Sequence, residues 1–485
     1  MSCASSSSCA RLLALSASTL CPFLTPLKAC SYETGFYYDF VTSQTSVDES
    51  ILPLILVQMR RLRSEALTFE LMTMMPKNAQ SYLLSKGLVL QAHLLEDVET
   101  NLIQLCKLGE LHDICPDELV STTKEIGEFA LYELLVFEKE VPSLGLVPIV
   151  RISGLCMQDK AKLKAGLKQV DVAKRNDPVK LASFLDFALF ENFDCFFLPK
   201  MERSIQVLES AWRKECQAFG FEFIRSSWQH HSVQPVYEHF MQKKVTLPFR
   251  FAEIVDSFLQ NDSLGCDLFF DPCRKRSLRA SVFCLEPSLN NEVISSLQFM
   301  KKLATILPVD VSFVEQTAKS KLLAYAYATD LRGRKWTLSE MKLVRRKEML
   351  CIELSYLLSI ERAFALLFER FGGLLPLWLA PEQVRIVCVS SSAKEWALIV
   401  QQRLESEQAR TKLSFDVKDL PRAIYEAKKD CVPICCIVGQ REMKNRTVNF
   451  RVCENNMQGE SYEVSLDSFI ATFKECCLTR TWNVI

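Results

Sequence analysis

The stretch Phe371-Gly-Gly-Leu-Leu-Pro-Leu-Trp-Leu-Ala-Pro381 separates two different patterns of sequence. Its glycine pair and its two prolines end the helical spacing that precedes it. After it, short apolar segments alternate with helical ones, in the order 384–390, 393–407, 413–417, 420–428, 432–438, 447–452 and 466–476. This alternation predicts a small α/β domain with a mostly parallel sheet over residues 373–485.

Before residue 371 the sequence mixes helical and strand patterns. Apolar spacing predicts helices at residues 48–73, 77–107, 201–219 and 352–371. The aromatic residues at 32–40 and the apolar segments between polar loops at 245–288 predict strands. The charged helical segment 157–190 suits a connector between domains. A length of 485 residues predicts about three domains.

The charge balance excludes a general attraction to polyanions. Lys and Arg together number 58, as do Asp and Glu, so the formal net charge is zero. A nucleic-acid partner would therefore need a local basic patch. The sequence contains no apolar run long enough for a transmembrane helix, so we expect no membrane partner.

The 20 cysteines are scattered and form no pair of Cys-x-x-Cys motifs, which argues against a structural zinc ribbon. We interpret them as reduced, buried thiols of a cytoplasmic protein.

Residues 11–21 have the look of a short signal-peptide core, but Arg11 is the only charge in the Ser-rich flank. A buried or amphipathic first helix is the interpretation that we favour.

Seven segments, taken in order, resemble bacterial threonyl-tRNA synthetases, which are class II synthetases. They are Thr34-Gly-Phe-Tyr-Tyr-Asp-Phe40, Asp113-Ile-Cys-Pro116, Ala173-Lys-Arg-Asn-Asp177, Phe197-Leu-Pro-Lys200 with Leu208-Glu-Ser-Ala-Trp-Arg213, Leu247-Pro-Phe-Arg-Phe-Ala-Glu253, Ser359-Ile-Glu-Arg362 and Leu375-Pro-Leu-Trp-Leu-Ala-Pro-Glu-Gln-Val384. The resemblance implies a multidomain α+β and α/β fold. Residues 1–156 would be an editing-like α+β domain, 157–190 a linker helix, 191–372 an antiparallel-sheet catalytic-like core, and 373–485 an α/β anticodon-binding domain.

The editing chemistry of that family uses a His-x3-His pair and a Cys-x3-His pair around one pocket. The resemblance places the first pair on Ser7 and Arg11, and the second on Cys115 and Leu119. Only Cys115 is kept, and the five histidines of the chain form no His-x3-His pair. One thiol cannot replace four ligands, so we interpret Cys115 as a core thiol and an editing remnant.

Adenylate formation in the family needs arginines that neutralise the phosphates of ATP. The motif 2 arginine and its companion glutamate fall on Leu259 and Asn261. The basic run Arg274-Lys-Arg276 could substitute, although a solvated loop is the simpler interpretation.

Motif 3 keeps only part of its pattern. Glu361 and Arg362 occupy the expected places, whereas the preceding glycine falls on Leu358, which would crowd the adenine. The resemblance therefore implies an ATP-binding remnant at Glu361 and Arg362. The alternative is an ordinary helix ion pair of Arg362, for example with Glu369.

The family recognises threonine through a zinc ion held by one Cys and two His. The segment that supplies the Cys is missing between Tyr237 and Leu247, and the two His positions fall on Ser281 and Glu353. We therefore expect no zinc. The motif 1 proline, which supports the dimer interface in the family, falls on Ser227.

The anticodon-binding pattern is better kept. Val438-Gly-Gln-Arg-Glu442 and Thr447-Val-Asn-Phe-Arg451 resemble the family's pattern, which implies anticodon contacts at Glu442, Asn445, Val448 and Arg451. Arginine can fork onto a guanine edge, and glutamate can accept from an exocyclic amine. The family's Lys-Ile-Arg falls on Ala423-Ile-Tyr425, and a plain strand charge is the alternative for Arg451.

Three hypotheses remain after these comparisons of residues. In the first, the chain keeps the fold, has lost catalysis and editing, and binds tRNA or a partner synthetase. In the second, it is a divergent but active threonine–tRNA ligase that uses ATP. In the third, it is a homodimeric interaction scaffold without a role in RNA binding. The missing motif 2 arginine and zinc ligands favour the first.

Overall fold

The structure is a computed structural model. Its described residues are 2–44, 46–96, 98, 100–141, 145–189, 195–225, 246–258, 269–270, 272, 274–316, 321–346, 349–415, 419–452 and 461–481. The chain divides into two compact units. Unit 1 comprises Met1–Lys174, Gln260–Leu268 and Thr329–Lys335, and unit 2 comprises Arg175–Leu259, Phe269–Ala328 and Trp336–Ile485. Because unit 2 spans two of the predicted domains, the boundaries near residues 156, 190 and 372 stay predictions.

The first part of the chain combines helices with two antiparallel sheets. Its helices are α1 Ser2–Leu20, α2 Leu52–Ser64, α3 Pro76–Ser85, α4 Val89–His93 and α5 Lys160–Arg175. Its strands are β1 Leu24–Tyr32, β2 Gly35–Thr42, β3 Glu70–Met74, β4 Ile103–Leu108, β5 Leu111–Ile114, β6 Glu128–Val141 and β7 Gly145–Met157. One sheet has the order β1-β2-β7-β6 and the other β3-β4-β5.

Helix α1 lies in the core of unit 1. Most of its side chains from Ser6 to Ala17 are buried, and the apolar ones pack with strands β2, β6 and β7. The hydroxyls of Ser16 and Ser18 donate to carbonyls four residues earlier, Leu12 and Ala14, so they need no other partner in the core. The expected buried first helix is therefore confirmed.

The secondary structure of unit 1 corrects two predicted helices. The segments 48–73 and 77–107 begin with helices but end in the strands β3 and β4. In β4, Leu105, Cys106 and Leu108 are all buried. A buried strand of this kind and a helix share the same apolar density, so spacing alone cannot separate them.

Unit 2 begins with an antiparallel-sheet region. Its helices are α6 Pro178–Leu185, α7 Pro199–Ala218, α8 Leu289–Ala304 and α9 Ile360–Phe371. Its strands are β8 Phe187–Leu189, β9 Cys195–Phe197, β10 Glu222–Phe223, β11 Phe249–Phe258, β12 Arg274–Cys284, β13 Val311–Glu315, β14 Leu322–Thr329, β15 Lys335–Arg346 and β16 Met349–Leu357.

Seven of these strands form one sheet, in the order β10-β11-β12-β16-β15-β14-β13. The pairs β11–β12, β12–β16 and β15–β16 are antiparallel, as the resemblance predicts for the catalytic-like core. One face of the sheet packs on helices α7, α8 and α9, with Trp212, Phe299 and Phe364 among the fully buried side chains.

The predicted helix at 352–371 is half wrong, because residues 349–357 form strand β16 and the helix begins at Ile360. Ser359 marks the change. Its Oγ accepts the backbone N–H of Arg362 at 3.0 Å, which is a helix N-cap. Gly372, with φ of 61°, ends the helix in the left-handed conformation that glycine tolerates.

The C-terminal region has the predicted α/β character. Its helices are α10 Lys394–Ser406, α11 Leu420–Lys429, α12 Gln440–Asn445 and α13 Leu466–Thr479. Its strands are β17 Val384–Cys388, β18 Thr411–Ser414, β19 Ile434–Val438, β20 Thr447–Val452 and β21 Ser461–Ser465, in the sheet order β18-β17-β19-β20-β21. Helices α10 and α13 pack on one face of the sheet and α11 on the other.

The expectation of a mostly parallel sheet needs a correction. Strand β17 pairs in parallel with β18 and β19, but β20 and β21 are antiparallel additions. The short helix α12 occupies too little chain for a crossover, which needs a dozen or more residues, so β20 returns antiparallel to β19. In the described part of the chain, no helix is long and apolar enough to cross a membrane.

Candidate functional sites

The editing-like site is built around a buried arginine. Ser7 and Arg11 lie four residues apart on α1, and the Arg11 side chain is 1% exposed. Its Nε donates to Oδ2 of Asp113 at 3.1 Å, and its Nη2 donates to the carbonyl of Ile114 at 3.2 Å. Its Nη1 reaches Oδ2 of Asp117 at 3.3 Å. A guanidinium thus occupies the pocket to which the resemblance assigns four ligands.

The carboxylate of Asp113 is fully enclosed by donors. Its Oδ1 accepts the Tyr38 hydroxyl at 2.9 Å and the Gln91 amide at 3.0 Å. A buried charge costs several kcal/mol unless it is paired and hydrogen-bonded, and here both conditions are met. Asp113 is therefore held by donors from α1, β2 and α4. The sequence did not identify Asp113 and Asp117 as the partners of Arg11. The one feature that could have indicated them is a pair of aspartates, four residues apart, on either side of Cys115.

Cys115 itself is fully buried in the apolar core of unit 1. Its thiol donates to the carbonyl of Asp117 at 3.4 Å. Burial raises the pKa of Cys115 above its ordinary value, which keeps the sulfur protonated. Leu119, at the fourth position, packs against the same core. The geometry suits the core thiol that the sequence predicts.

We expect Arg11→Met to lower the free energy of unfolding by about 3–5 kcal/mol, because it leaves Asp113 charged and buried without its cation. The matched control is Arg61→Met, which removes an exposed ion pair with Glu65 and should cost less than about 1 kcal/mol. Urea denaturation with hydrogen exchange at α1 amides measures both. Equal losses in the two variants would contradict the role given to Arg11.

The residues of the predicted ATP-binding remnant, Glu361 and Arg362, make their contacts within the protein. Glu361 is 6% exposed, and its carboxylate accepts the Ser359 hydroxyl at 2.8 Å and the backbone N–H of Arg276 at 3.2 Å. Burial raises the pKa of Glu361. These contacts join the start of α9 to strand β12, so Glu361 holds two elements together.

Arg362 is held by main-chain acceptors. Its Nε donates to the carbonyl of Phe270 at 2.7 Å, and its Nη1 donates to that of Thr337 at 2.8 Å. The guanidinium also lies over the ring of Trp336, at 5.2 Å from the ring centroid. A phosphate would have to displace these partners. The role of Arg362 as a nucleotide ligand stays a prediction, and the contacts favour a structural role.

The basic run at 274–276 is the start of strand β12 and not the solvated loop of the simpler interpretation. Arg276 pairs with both oxygens of Asp256, at 2.8 Å and 3.3 Å, and reaches Glu209 at 3.4 Å. Its charge is therefore balanced locally. The motif 2 positions Leu259 and Asn261 lie outside the described residues, as do Ser227, Tyr237 and the histidines 230, 231 and 239.

The two predicted zinc positions are direct cross-strand partners. Ser281 on β12 lies opposite Glu353 on β16, and Lys342 on β15 lies opposite Glu353 on its other side. The two positions that the resemblance assigns to zinc ligands are therefore neighbours in the sheet. They carry the Ser281 hydroxyl and the Glu353 carboxylate, with Lys342 beside them. Within the described ranges, no group of three or more His, Cys, Asp or Glu side chains could hold a metal ion. The absence of zinc stays a prediction.

We expect Arg362→Gln to lower the free energy of unfolding by about 3 kcal/mol, because two charge-assisted hydrogen bonds to carbonyls are lost. Arg274→Gln, at an exposed position of the same basic run, should cost less than about 0.5 kcal/mol. Millimolar Mg-ATP should leave the melting temperature of the unmodified protein unchanged. Protection by ATP that disappears in Arg362→Gln would show that this arginine is a nucleotide ligand.

The anticodon-like site lies on strand β20. Val448 and Phe450 point into the core beneath α10 and α13. Asn449 and Arg451 alternate with them and lie opposite Ile437 and Cys435, on the face that also carries α11. Among the described residues, Asn449 Oδ1 and Arg451 Nε are buried and have no hydrogen-bond partner.

The remaining predicted contacts differ in what they can offer. Asn445 is exposed at the end of α12, beside the exposed Lys444 and Arg446. One carboxylate oxygen of Glu442 accepts the N–H of Gly439 at 2.8 Å and so caps this helix. Val448 is 0% exposed, so only its main chain could meet a base. Sequence reasoning missed Asn449, although it stands between two predicted contacts.

Comparisons with known proteins agree with this architecture. Residues 383–476 match the family model described as an anticodon-binding domain. The chain is 23% identical to the threonine–tRNA ligase of Lawsonia intracellularis, over 97% of this chain and 87% of that protein. It is 24% identical to the threonine–tRNA ligase of Nitrosomonas europaea, over 96% of this chain and 88% of that protein.

Two solved structures share the fold. The first is the RNA-binding domain of threonyl-tRNA synthetase from Cryptosporidium parvum, with a TM-score of 0.54, 17% identity, and coverage of 62% of this chain and 98% of that chain. The second is the putative threonyl-tRNA synthetase ThrRS-1 from Aeropyrum pernix, with a TM-score of 0.51, 12% identity, and coverage of 64% and 97%.

Proposed function

We propose that this divergent relative of the threonyl-tRNA synthetases binds tRNA through residues 373–485 and has lost both adenylate formation and editing. The observation that carries the proposal is a contrast between charged groups. Arg11, Arg276 and Arg362 are bound to acceptors within the protein, whereas Arg451 keeps a buried donor without a partner among the described residues.

The β20 face has the chemistry to read unpaired bases. Arg451 supplies donors and Asn449 an acceptor, on one face of one strand and two residues apart. Burying such atoms without partners costs about 1–3 kcal/mol each, and a base edge that pairs with them recovers that cost. Bases of a single-stranded loop present donors and acceptors for this kind of contact.

Exposed side chains near this face favour an RNA ligand. Lys444 and Arg446 are exposed at the end of α12 and form a local basic patch on a neutral chain. Tyr425 on α11 is 67% exposed, at the position where the family pattern has an arginine. An exposed aromatic ring can stack on a base. Tyr425 would thus make a stacking contact where the arginine of the family pattern makes an ionic one.

The loss of editing is supported by the ion pair in the pocket. Hydrolysis needs a group that can accept a proton from water within hydrogen-bond reach. Arg11 cannot do so, because its charge is permanent and its donors are engaged with Asp113, Asp117 and Ile114.

The loss of adenylate formation is supported by the sheet face that carries Ser281 and Glu353. Glu253 and Glu340 lie on the same face. Glu253 is opposite Arg279, two positions before Ser281 on β12, and Glu340 is opposite Ser355, two positions after Glu353 on β16. Arg279 and Lys342 lie on this face as well, so its three carboxylates outnumber its two cations, and it lacks the excess of positive charge that the family reaction needs around a triphosphate. The alternative, an active threonine–tRNA ligase, is favoured by similarity to such ligases over nearly the whole chain.

The two candidate functions differ in one measurement. We expect threonine-dependent exchange of pyrophosphate into ATP to be at least about 10³-fold slower than for the Nitrosomonas europaea ligase assayed in parallel. The reason is that loss of one charge-stabilising donor alone costs about 10²–10³ in rate. Exchange that depends on threonine would establish the ligase and reject the non-catalytic proposal.

We expect the full-length protein to bind a threonine tRNA transcript, and Arg451→Ala to weaken binding about tenfold, because a base-reading arginine contributes about 1–3 kcal/mol. Asn449→Ala should weaken it in the same direction. The matched control is Arg403→Ala on α10, which removes one positive charge on the opposite side of the sheet and should change affinity little. Equal effects of Arg451→Ala and Arg403→Ala in a filter-binding titration would contradict the proposed face.

A location in the cytoplasm belongs to the same proposal. The cysteines of the described residues are free thiols, and many are fully buried. Reduced thiols in such number are typical of a reducing compartment.

A further inference from the structure

Unit 1 contains a cavity of about 510 Å³ that is separate from the Arg11 pocket. The thiol of Cys156, on strand β7, lies in its wall beside Ser5 and Gly127, and the charged side chains Glu33, Glu125 and Lys162 line other parts. The volume exceeds that of many water molecules. Cys156 is only 3% exposed and borders this cavity, which is large enough for a small polar oxidant.

A hydroxyl group lies beside the sulfur of Cys156. The Ser5 hydroxyl lies 3.2 Å from Sγ, and its oxygen accepts the backbone N–H of Gly127 at 2.9 Å. Because that oxygen is used as an acceptor, the Ser5 proton is free to be donated to the sulfur. Gly127 is required for this approach, since a Cβ there would lie 2.2 Å from the carbonyl oxygen of Met157.

A second thiol faces the same sulfur. Cys9 lies four residues after Ser5 on α1 and therefore on the same face of that helix. Cys9 is 0% exposed and belongs to the same buried core as Cys156. The neighbouring Cys9 thiol lowers the pKa of Cys156 below its ordinary value, against the effect of burial. The guanidinium of Arg63 acts in the same direction. Burial raises the pKa of Cys9.

Cys3 is exposed, and the remaining cysteines of unit 1 lack this environment. Burial raises the pKa of Cys21, Cys30, Cys106 and Cys115, and that of Cys106 reaches about 12. A thiolate, not a thiol, is the nucleophile, and one pKa unit changes the thiolate fraction about tenfold. Cys156 is thus distinguished by a cavity, the Ser5 hydroxyl beside its sulfur and a neighbouring thiol.

We propose that Cys156 and Cys9 form a peroxide-reactive dithiol, in which hydroperoxide enters the cavity, oxidises Cys156 and leaves a Cys9–Cys156 disulfide. In the first step the Cys156 thiolate attacks one peroxide oxygen, the O–O bond breaks, and hydroxide or alkoxide leaves. Cys156 is now a sulfenic acid. In the second step the Cys9 sulfur attacks the sulfenic sulfur, the S–O bond breaks, and the Cys9 proton departs with the oxygen as water. Two thiols lose two electrons, and the peroxide gains them.

The test uses the reduced full-length chain and hydrogen peroxide in near-stoichiometric amounts. Remaining thiols are alkylated at intervals, and peptides are analysed without reduction. We expect Cys9 and Cys156 to disappear together into one cross-linked peptide pair, at least about tenfold faster than Cys115 or Cys106 is oxidised. Dithiothreitol should return both thiols. Because this comparison is made within the unmodified protein, it does not depend on how variants fold.

Two variants separate the steps. In Cys9→Ser, dimedone should trap a sulfenic acid on Cys156, since no thiol is left to resolve it. Cys115→Ser is the matched control, a second buried cysteine of the same unit, and should leave the Cys9–Cys156 disulfide unchanged. The proposal is overturned if Cys156 in the unmodified protein reacts no faster than Cys115, or if Cys156 is oxidised while Cys9 remains a free thiol.

Discussion

The structure depends on one constraint, that every buried charge must have partners inside the protein. Arg11 and Asp113 meet it together, with side-chain exposures of 1% and 2%. Their ion pair joins the first helix to residues a hundred positions later, and Tyr38 and Gln91 complete the hydrogen bonds. Such pairs add little net stability compared with apolar packing, but removing one partner is costly. The pair therefore fixes how α1 is seated in unit 1 more than it strengthens the core.

The same constraint governs the buried arginines of unit 2. Arginine needs acceptors wherever it is buried, and main-chain carbonyls serve when a phosphate does not. Arg410 illustrates this, because it donates to the carbonyls of Ala380 and Trp378, and burial lowers its pKa to about 10. Arg362 follows the same pattern.

How much the sequence could predict differs between regions for a physical reason. In the C-terminal region, each strand and helix is short and separated from the next by turn residues. The spacing of apolar residues changes from one element to the next, so all seven predicted segments correspond to observed elements. In residues 103–108 and 349–357, buried strands follow or precede helices without a change in apolar density, and the strand at 70–74 is short and largely exposed. The Arg11–Asp113 pair has no local signal, since it depends on which distant strands meet α1. Asn449 could have been found, because strand alternation places it on the face of Arg451.

The motif 3 helix and strand β20 differ in whether their polar atoms have hydrogen-bond partners. A satisfied guanidinium must break existing bonds before it can bind a phosphate, so its own partners compete with the ligand. An unsatisfied donor on a strand has already been desolvated, and a partner that fits recovers the cost of its burial. On this basis the motif 3 helix, with Arg362 bound to Phe270 and Thr337, is part of the framework. On strand β20, Asn449 Oδ1 and Arg451 Nε are buried without such partners among the described residues, which is why we propose the ligand site there.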